Sequence, residues 1–190
     1  MLTLRPPLAS DIAAFVGRQR DAPFSYPFVG ATRDRAPEGY AYDHNRVKLG
    51  EGPRTFARAV DAVRRWEMFN IGWVTLCWPT TPIEPGRIVA ILVPLAGLWS
   101  LSACRIVYTI DDRSDVSRFG FAYGTLDDHL ESGEERFSVE LREDDSVWYD
   151  LTAFSRPRHP LARLGRPISR MLQRRFARDS LRAMTCAVRP

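Results

Sequence analysis

EERFSVELREDDSVWYDLTAFS, residues 134–155, is the stretch from which the fold can be read. Glu135, Phe137, Val139 and Leu141 alternate with Glu134, Arg136, Ser138, Glu140 and Arg142. A period of two with one mostly apolar face and one wet face predicts an antiparallel strand with one side on a core. Glu143-Asp144-Asp145 supplies a turn, and a second strand-like run, 146–155, follows at once. Working outward, strands are expected at 117–125, 101–110, 87–93, 71–78 and, before a helix, 40–49. The connections are short, so the strands form a meander and not a series of parallel crossovers.

Helical spacing frames this sheet. Phe56, Ala59, Val60, Val63 and Trp66 make 53–68 an amphipathic helix, with Pro53 where a missing N–H is harmless. Ser10-Asp11 starts a shorter helix that carries Phe15 and ends near Gly17. Residues 21–39 are rich in Pro, Gly and Asp and read as an irregular crossing. Residues 158–187 read as one long helix, with Leu161, Leu164, Ile168, Met171, Leu172 and Phe176 inside. Its outer stripe is Arg163, Arg166, Arg170, Arg174, Arg178 and Arg182. The expected class is α+β: one domain over 1–190, with about seven antiparallel strands curling around the C-terminal helix. This order, strand, helix, six strands and long helix, resembles the START-like helix-grip proteins.

Composition narrows the alternatives. Hydrophobic residues make up 45% and charged residues 26%, values of a globular chain. Cys77, Cys104 and Cys186 are scattered, odd in number and in no CxxC spacing, which argues for a reducing compartment and against a zinc site. The N-terminus lacks the pattern of a secretion signal, so a cytoplasmic location is expected. Between Arg87 and Arg105 lie 17 uncharged residues, but Pro94, Gly97, Ser100 and Ser102 interrupt them. A membrane span needs about 20 mostly apolar residues, and two buried strands joined at Leu95-Ala96-Gly97 explain the run better.

Of 27 basic residues only Lys48 is lysine, and the net charge of +4 is unevenly spread. Residues 156–190 hold ten arginines against Asp179 alone, while residues 127–150 hold ten acids against Arg136 and Arg142. The basic segment thus has an acidic neighbour to pair with. Its stripe also lacks interleaved aromatics for base stacking, which argues against nucleic acid. An acidic protein or anionic surface is the partner such a helix would suit.

Four stretches carry a more specific likeness: FSYPFVGAT at 24–32, GEGPRTFARAVDAVRRW at 50–66, FGFAYGTLDDHLESGEERF at 119–137 and AFSRPRHPLARLGRP at 153–167. Together they make the chain resemble a family of bacterial and plant proteins known as domain of unknown function nineteen-ninety. That resemblance implies no catalytic residue, metal or cofactor.

The candidate site residues are Tyr123, Gly124, Thr125, His129 and Arg46. Gly120, Ala122 and Gly124 leave a bare strip on one face of a strand, and glycine weakens a strand unless something approaches closely. Either Tyr123 and Thr125 offer hydroxyls to a ligand there, or the strip seats the C-terminal helix. His129 lies in the acidic loop Asp127-Asp128-His129-Leu130-Glu131, where neighbouring carboxylates would raise its pKa. The alternative is a solvated hairpin tip. Asp43, His44, Asn45 and Arg46 put polar groups on both faces of the first strand, as an edge strand allows. Ser155 has no GxSxG elbow around it. With 10 Phe, 6 Tyr and 5 Trp to line or fill a cavity, the expected function is binding of an apolar small molecule between sheet and helix. An enzyme using Tyr123, His129 or Arg46 in that cavity, and a docking module, are the alternatives.

Overall fold

The computed structural model describes residues 1–34, 37–95, 97–114, 116–158 and 166–189. Eight antiparallel strands form one open sheet: β1 (Leu2–Thr3), β2 (Ala41–Glu51), β3 (Thr75–Cys77), β4 (Ile88–Leu95), β5 (Leu98–Asp112), β6 (Ser117–Thr125), β7 (Glu131–Leu141) and β8 (Ser146–Pro157). Their order is β2-β8-β7-β6-β5-β4-β3, with β1 added against β5. The meander from β3 to β8 is the consequence of short turns. The β4–β5 hairpin closes at Gly97, whose φ of 88° suits a residue without Cβ. β2 reaches the free side of β8 and becomes an edge strand.

Among the described residues three α-helices complete the fold: α1 (Ala9–Arg18), α2 (Gly52–Arg64) and α3 (Arg166–Val188). α2 and α3 cover one face, called here the inner face, where Ala59, Val63 and Trp66 meet Phe121, Phe137, Tyr149, Ala177, Met184 and Val188 in one core. A second core lies on the outer face, where Phe15 of α1 packs on Ala90, Leu101 and Ala103. Alternation along the strands sorts the two sets.

Several expected boundaries shift. The helix placed at 53–68 ends at Arg64, because Trp66 takes a left-handed φ of 58° and turns the chain into a short 3-10 turn, Glu67–Phe69. Of the strand placed at 71–78 only Thr75–Cys77 is regular. Part of the helix placed at 158–187 falls on 159–165, outside the described residues, as do Leu161, Arg163 and Leu164; Arg158 itself precedes the helix.

The inner stripe of α3 needs correction too. Ile168 and Met171 are 60% and 59% exposed, whereas Ala177, Ser180, Met184 and Val188 are buried. Small residues set this arc: Ser180 lets the helix close on Tyr149, whose hydroxyl lies 2.9 Å from the Ser180 hydroxyl. Followed towards the N-terminus at helical spacing, the same arc carries Gln173 and Arg170. Arg170, placed on the outer stripe by its spacing, donates to both Asp43 carboxylate oxygens at 2.6 and 2.7 Å and ties α3 to the sheet edge. No helix among the described residues is long and apolar enough to cross a membrane.

Candidate functional site

Between α3 and the inner face of the sheet lies a cavity of about 420 Å³. Its walls are mainly apolar: Phe69, Trp73 and Val74 from the segment after α2, Ile91 and Val93 of β4, Leu151 of β8, and Leu172, Phe176 and Leu181 of α3. Polar groups gather where β6 and β7 meet. Tyr123 and Glu135 are direct cross-strand partners, and the Tyr123 hydroxyl donates to Glu135 Oε2 at 2.7 Å. Phe137 and Phe69 crowd the Tyr123 ring, with centroids 5.3 and 6.3 Å away. Removal from water raises the Glu135 pKa to about 7, partly offset by the Tyr123 hydrogen bond. The carboxyl is therefore close to half-protonated at neutral pH.

Glu135 is the residue that strand periodicity put in an apolar file without assigning it a role. The signal that would have singled it out is register: counting back across the β6–β7 turn pairs it with Tyr123. Glu131, at the start of β7, also lines the cavity, and among the described residues no donor reaches either of its buried oxygens within hydrogen-bonding distance. Burial raises its pKa as well.

The five sequence-derived candidates separate. Tyr123, Thr125 and His129 line the cavity. The Thr125 hydroxyl is committed to the strand end, donating to the Gly133 carbonyl at 3.1 Å, accepting from the Gly133 amide at 2.9 Å, and lying 2.5 Å from the Ser25 hydroxyl. His129 is not the charged residue its acidic neighbours suggested. Its Nδ1 accepts from the Glu131 amide at 3.0 Å, and burial lowers its pKa to about 4, so it is neutral. The loop acids point elsewhere, Asp127 to Arg158 at 2.8 Å and Asp128 to the Gln19 amide at 2.7 Å. Among the described residues no group of three or more His, Cys, Asp or Glu is placed to hold a metal ion.

Gly124 and Arg46 lie on the outer face. A Cβ on Gly124 would land on the Tyr26 hydroxyl, so the bare strip seats the N-terminal crossing and not α3. There the buried Glu134 carboxylate accepts from Tyr26 Oη at 2.7 Å, Gly30 N at 2.7 Å, Thr32 N at 3.0 Å and the Thr32 hydroxyl. Two of the stretches that carry the family likeness, 24–32 and 119–137, meet in this clamp. Arg46 pairs with Glu140 and, at 3.0 Å, with Asp150, beneath the Trp148 ring. His44 joins Asp150 at 2.6 Å, and Arg142 joins Glu140 at 2.6 Å. The acids of 127–150 thus serve sheet arginines more than the helix.

The chain matches the family described as "Domain of unknown function (DUF1990)" over residues 25–183. A "UPF0548 protein" of Dictyostelium discoideum is 37% identical over 207 aligned residues, covering 99% of this chain and 96% of that protein. A "UPF0548 protein" of Deinococcus radiodurans is 38% identical over 199 aligned residues, covering 98% of each chain. Among solved structures, the hypothetical protein jhp0584 from Helicobacter pylori superposes with a TM-score of 0.53 at 11% identity, over 88% of this chain and 96% of that one. That likeness concerns the fold alone. From the clamp to the cavity floor, this chain belongs to the DUF1990 family, whose relatives include an amoebal protein as well as a bacterial one.

Proposed function

We propose that this protein binds an apolar small molecule in the cavity between the sheet and α3, with the molecule's polar end held by Tyr123 and Glu135. One observation carries the reading: a cavity of about 420 Å³ with apolar walls has a hydrogen-bonded phenol and carboxyl on its floor. Sites for small ligands combine largely apolar linings of this size with a few convergent polar groups. Denaturing extraction of the purified protein, followed by mass spectrometry, should release an amphipathic molecule. Ala153→Trp, which fills the cavity from β8, should abolish its retention while the protein still melts cooperatively. Equal recovery from both proteins would refute the cavity as the binding site.

The Glu135 pKa of about 7 favours a second reading, an enzyme in which this carboxyl passes a proton to or from the bound molecule. Incubating the extracted compound with fresh protein distinguishes the two. Conversion by the wild type and not by Glu135→Gln supports catalysis, and an unchanged compound supports binding alone. An acidic partner for α3 has less support. Arg170 is spent on Asp43, and Arg178 contacts Asp179 at 3.2 Å.

A further inference from the structure

The charged groups on the cavity wall are not equally satisfied. Asp43 holds a two-pronged ion pair with Arg170, whose guanidinium also donates to Gln173. Arg178 at the rim has Asp179. Glu135 and Glu131 differ: among the described residues neither forms an ion pair. Glu135 has only the neutral Tyr123 hydroxyl, while no donor bonds the Glu131 oxygens and the Ser169 hydroxyl and the Arg170 guanidinium, itself paired with Asp43, act on Glu131 from nearby. This happens in a chain rich in arginine, with Arg170, Arg174 and Arg178 all on the helix that roofs the site. A carboxylate out of water is costly unless paired with a cation, and the pairing gains strength where water is excluded. The floor at Glu135 therefore holds a carboxyl with no cation partner among the described residues, at the end of an apolar chamber.

We infer that the ligand is an amphipathic amine, its apolar body against the cavity walls and its protonated nitrogen on Glu135; Glu131, four residues back along β7 and so roughly 13 Å away, acts on it only at a distance. The inference rests on the cavity-binding reading and narrows it to one chemistry. An alcohol at the same place gains one neutral hydrogen bond, and a fatty acid meets like charge. The groups facing Glu135 do not supply the missing cation. They are Tyr123 of β6, Cys104 of β5, Asp43 of β2 and Tyr149 of β8, all neutral or acidic. Arg174 of α3 lines the cavity without bonding either carboxyl. Burial raises both carboxyl pKa values, and an ammonium beside Glu135 would favour its ionised form.

Decylamine, decanol and decanoate share one chain and differ only in the head group. Their displacement of Nile red, a neutral apolar dye, is to be measured at pH 8 in moderate salt. Decylamine should bind about ten-fold more tightly than decanol, the difference between a charge-assisted and a neutral hydrogen bond, and decanoate more weakly than both. Glu135→Gln should reduce the amine preference to about parity while Nile red and decanol still bind. Glu131→Gln should narrow it less. Circular dichroism melts of both variants check that they fold. Equal binding of decylamine and decanol by the wild type overturns the inference, as does an amine preference that survives both substitutions. If Nile red and all three ligands fail to bind a folded wild type, the cavity reading itself falls.

Discussion

At Gly124 a single hydrogen atom stands where any other residue would collide with the Tyr26 hydroxyl. Gly124→Ala would force Tyr26 off Glu134, adding a lost hydrogen bond to an overpacked contact. Overpacking alone costs about 1–3 kcal/mol. The expected outcome is a loss of at least that much unfolding free energy, read as a lower urea midpoint at unchanged slope, with decanol affinity unchanged because the strip faces away from the cavity. A loss of binding without a loss of stability would show that Gly124 borders the ligand after all. Tyr123→Phe tests the opposite face of the same strand. It removes the donor that partly stabilises the ionised Glu135, so the Glu135 pKa should rise above about 7. A carboxyl resonance titrating at the wild-type pH in that variant would contradict the hydrogen bond. Neighbouring residues of β6 thus answer to different parts of the chain, Gly124 to the crossing at 24–32 and Tyr123 to the floor of the cavity.

Among the elements, α3 shows most clearly what a linear pattern can and cannot reveal. Its existence, the meander and the edge position of β2 were legible, because periods of two and 3.6 follow from backbone geometry. Its buried arc was not, because Ala177 and Ser180 are inward for their smallness and Arg170 for its partner Asp43, which lies 127 residues away. Glu135 was visible as a carboxylate in an apolar file, yet its role required a register that composition does not give. The Glu134 clamp joins residues more than 100 apart and left no local trace. Arg170 also yields a prediction at this scale. Half-buried, two-pronged pairs exceed the usual 0–1 kcal/mol of exposed ones, so Arg170→Glu, which sets like charges together, should cost roughly 1–3 kcal/mol. Arg174→Glu, at an exposed position with no such partner among the described residues, should stay within about 0.5 kcal/mol. Adding Asp43→Arg to Arg170→Glu should restore part of the loss. Equal effects of the two single reversals would mean that α3 is held by its apolar arc alone.

For the molecule as a whole, two buried groups bend the pH dependence of stability in opposite directions. The folded-state pKa of Glu135 is raised from 4.5 to about 7. Between those values the folded protein keeps a proton that the unfolded chain has lost, so stability falls as pH rises through this window. The folded-state pKa of His129 is lowered from 6.5 to about 4. Here the unfolded chain holds the extra proton, and stability rises with pH over nearly the same range. Each shift has a ceiling of about 3 kcal/mol at 1.36 kcal/mol per unit. From pH 4.5 to 6.5 the two slopes oppose each other, and substitution separates them. Glu135→Gln removes the falling contribution, so its stability relative to wild type should grow across pH 4.5–7 by up to about 3 kcal/mol and then level off. His129→Gln removes the rising one, and that variant should lose stability with pH more steeply than wild type over pH 4–6.5. Glu131 has a raised pKa, Glu140 and Asp179 lowered ones, but their contributions are common to wild type and variant and cancel in the difference. Urea titrations at half-unit pH steps measure both differences. Profiles of wild type and Glu135→Gln that run parallel through pH 4.5–7 would show that Glu135 ionises as freely in the cavity as in the unfolded chain, and that the cavity floor is wet.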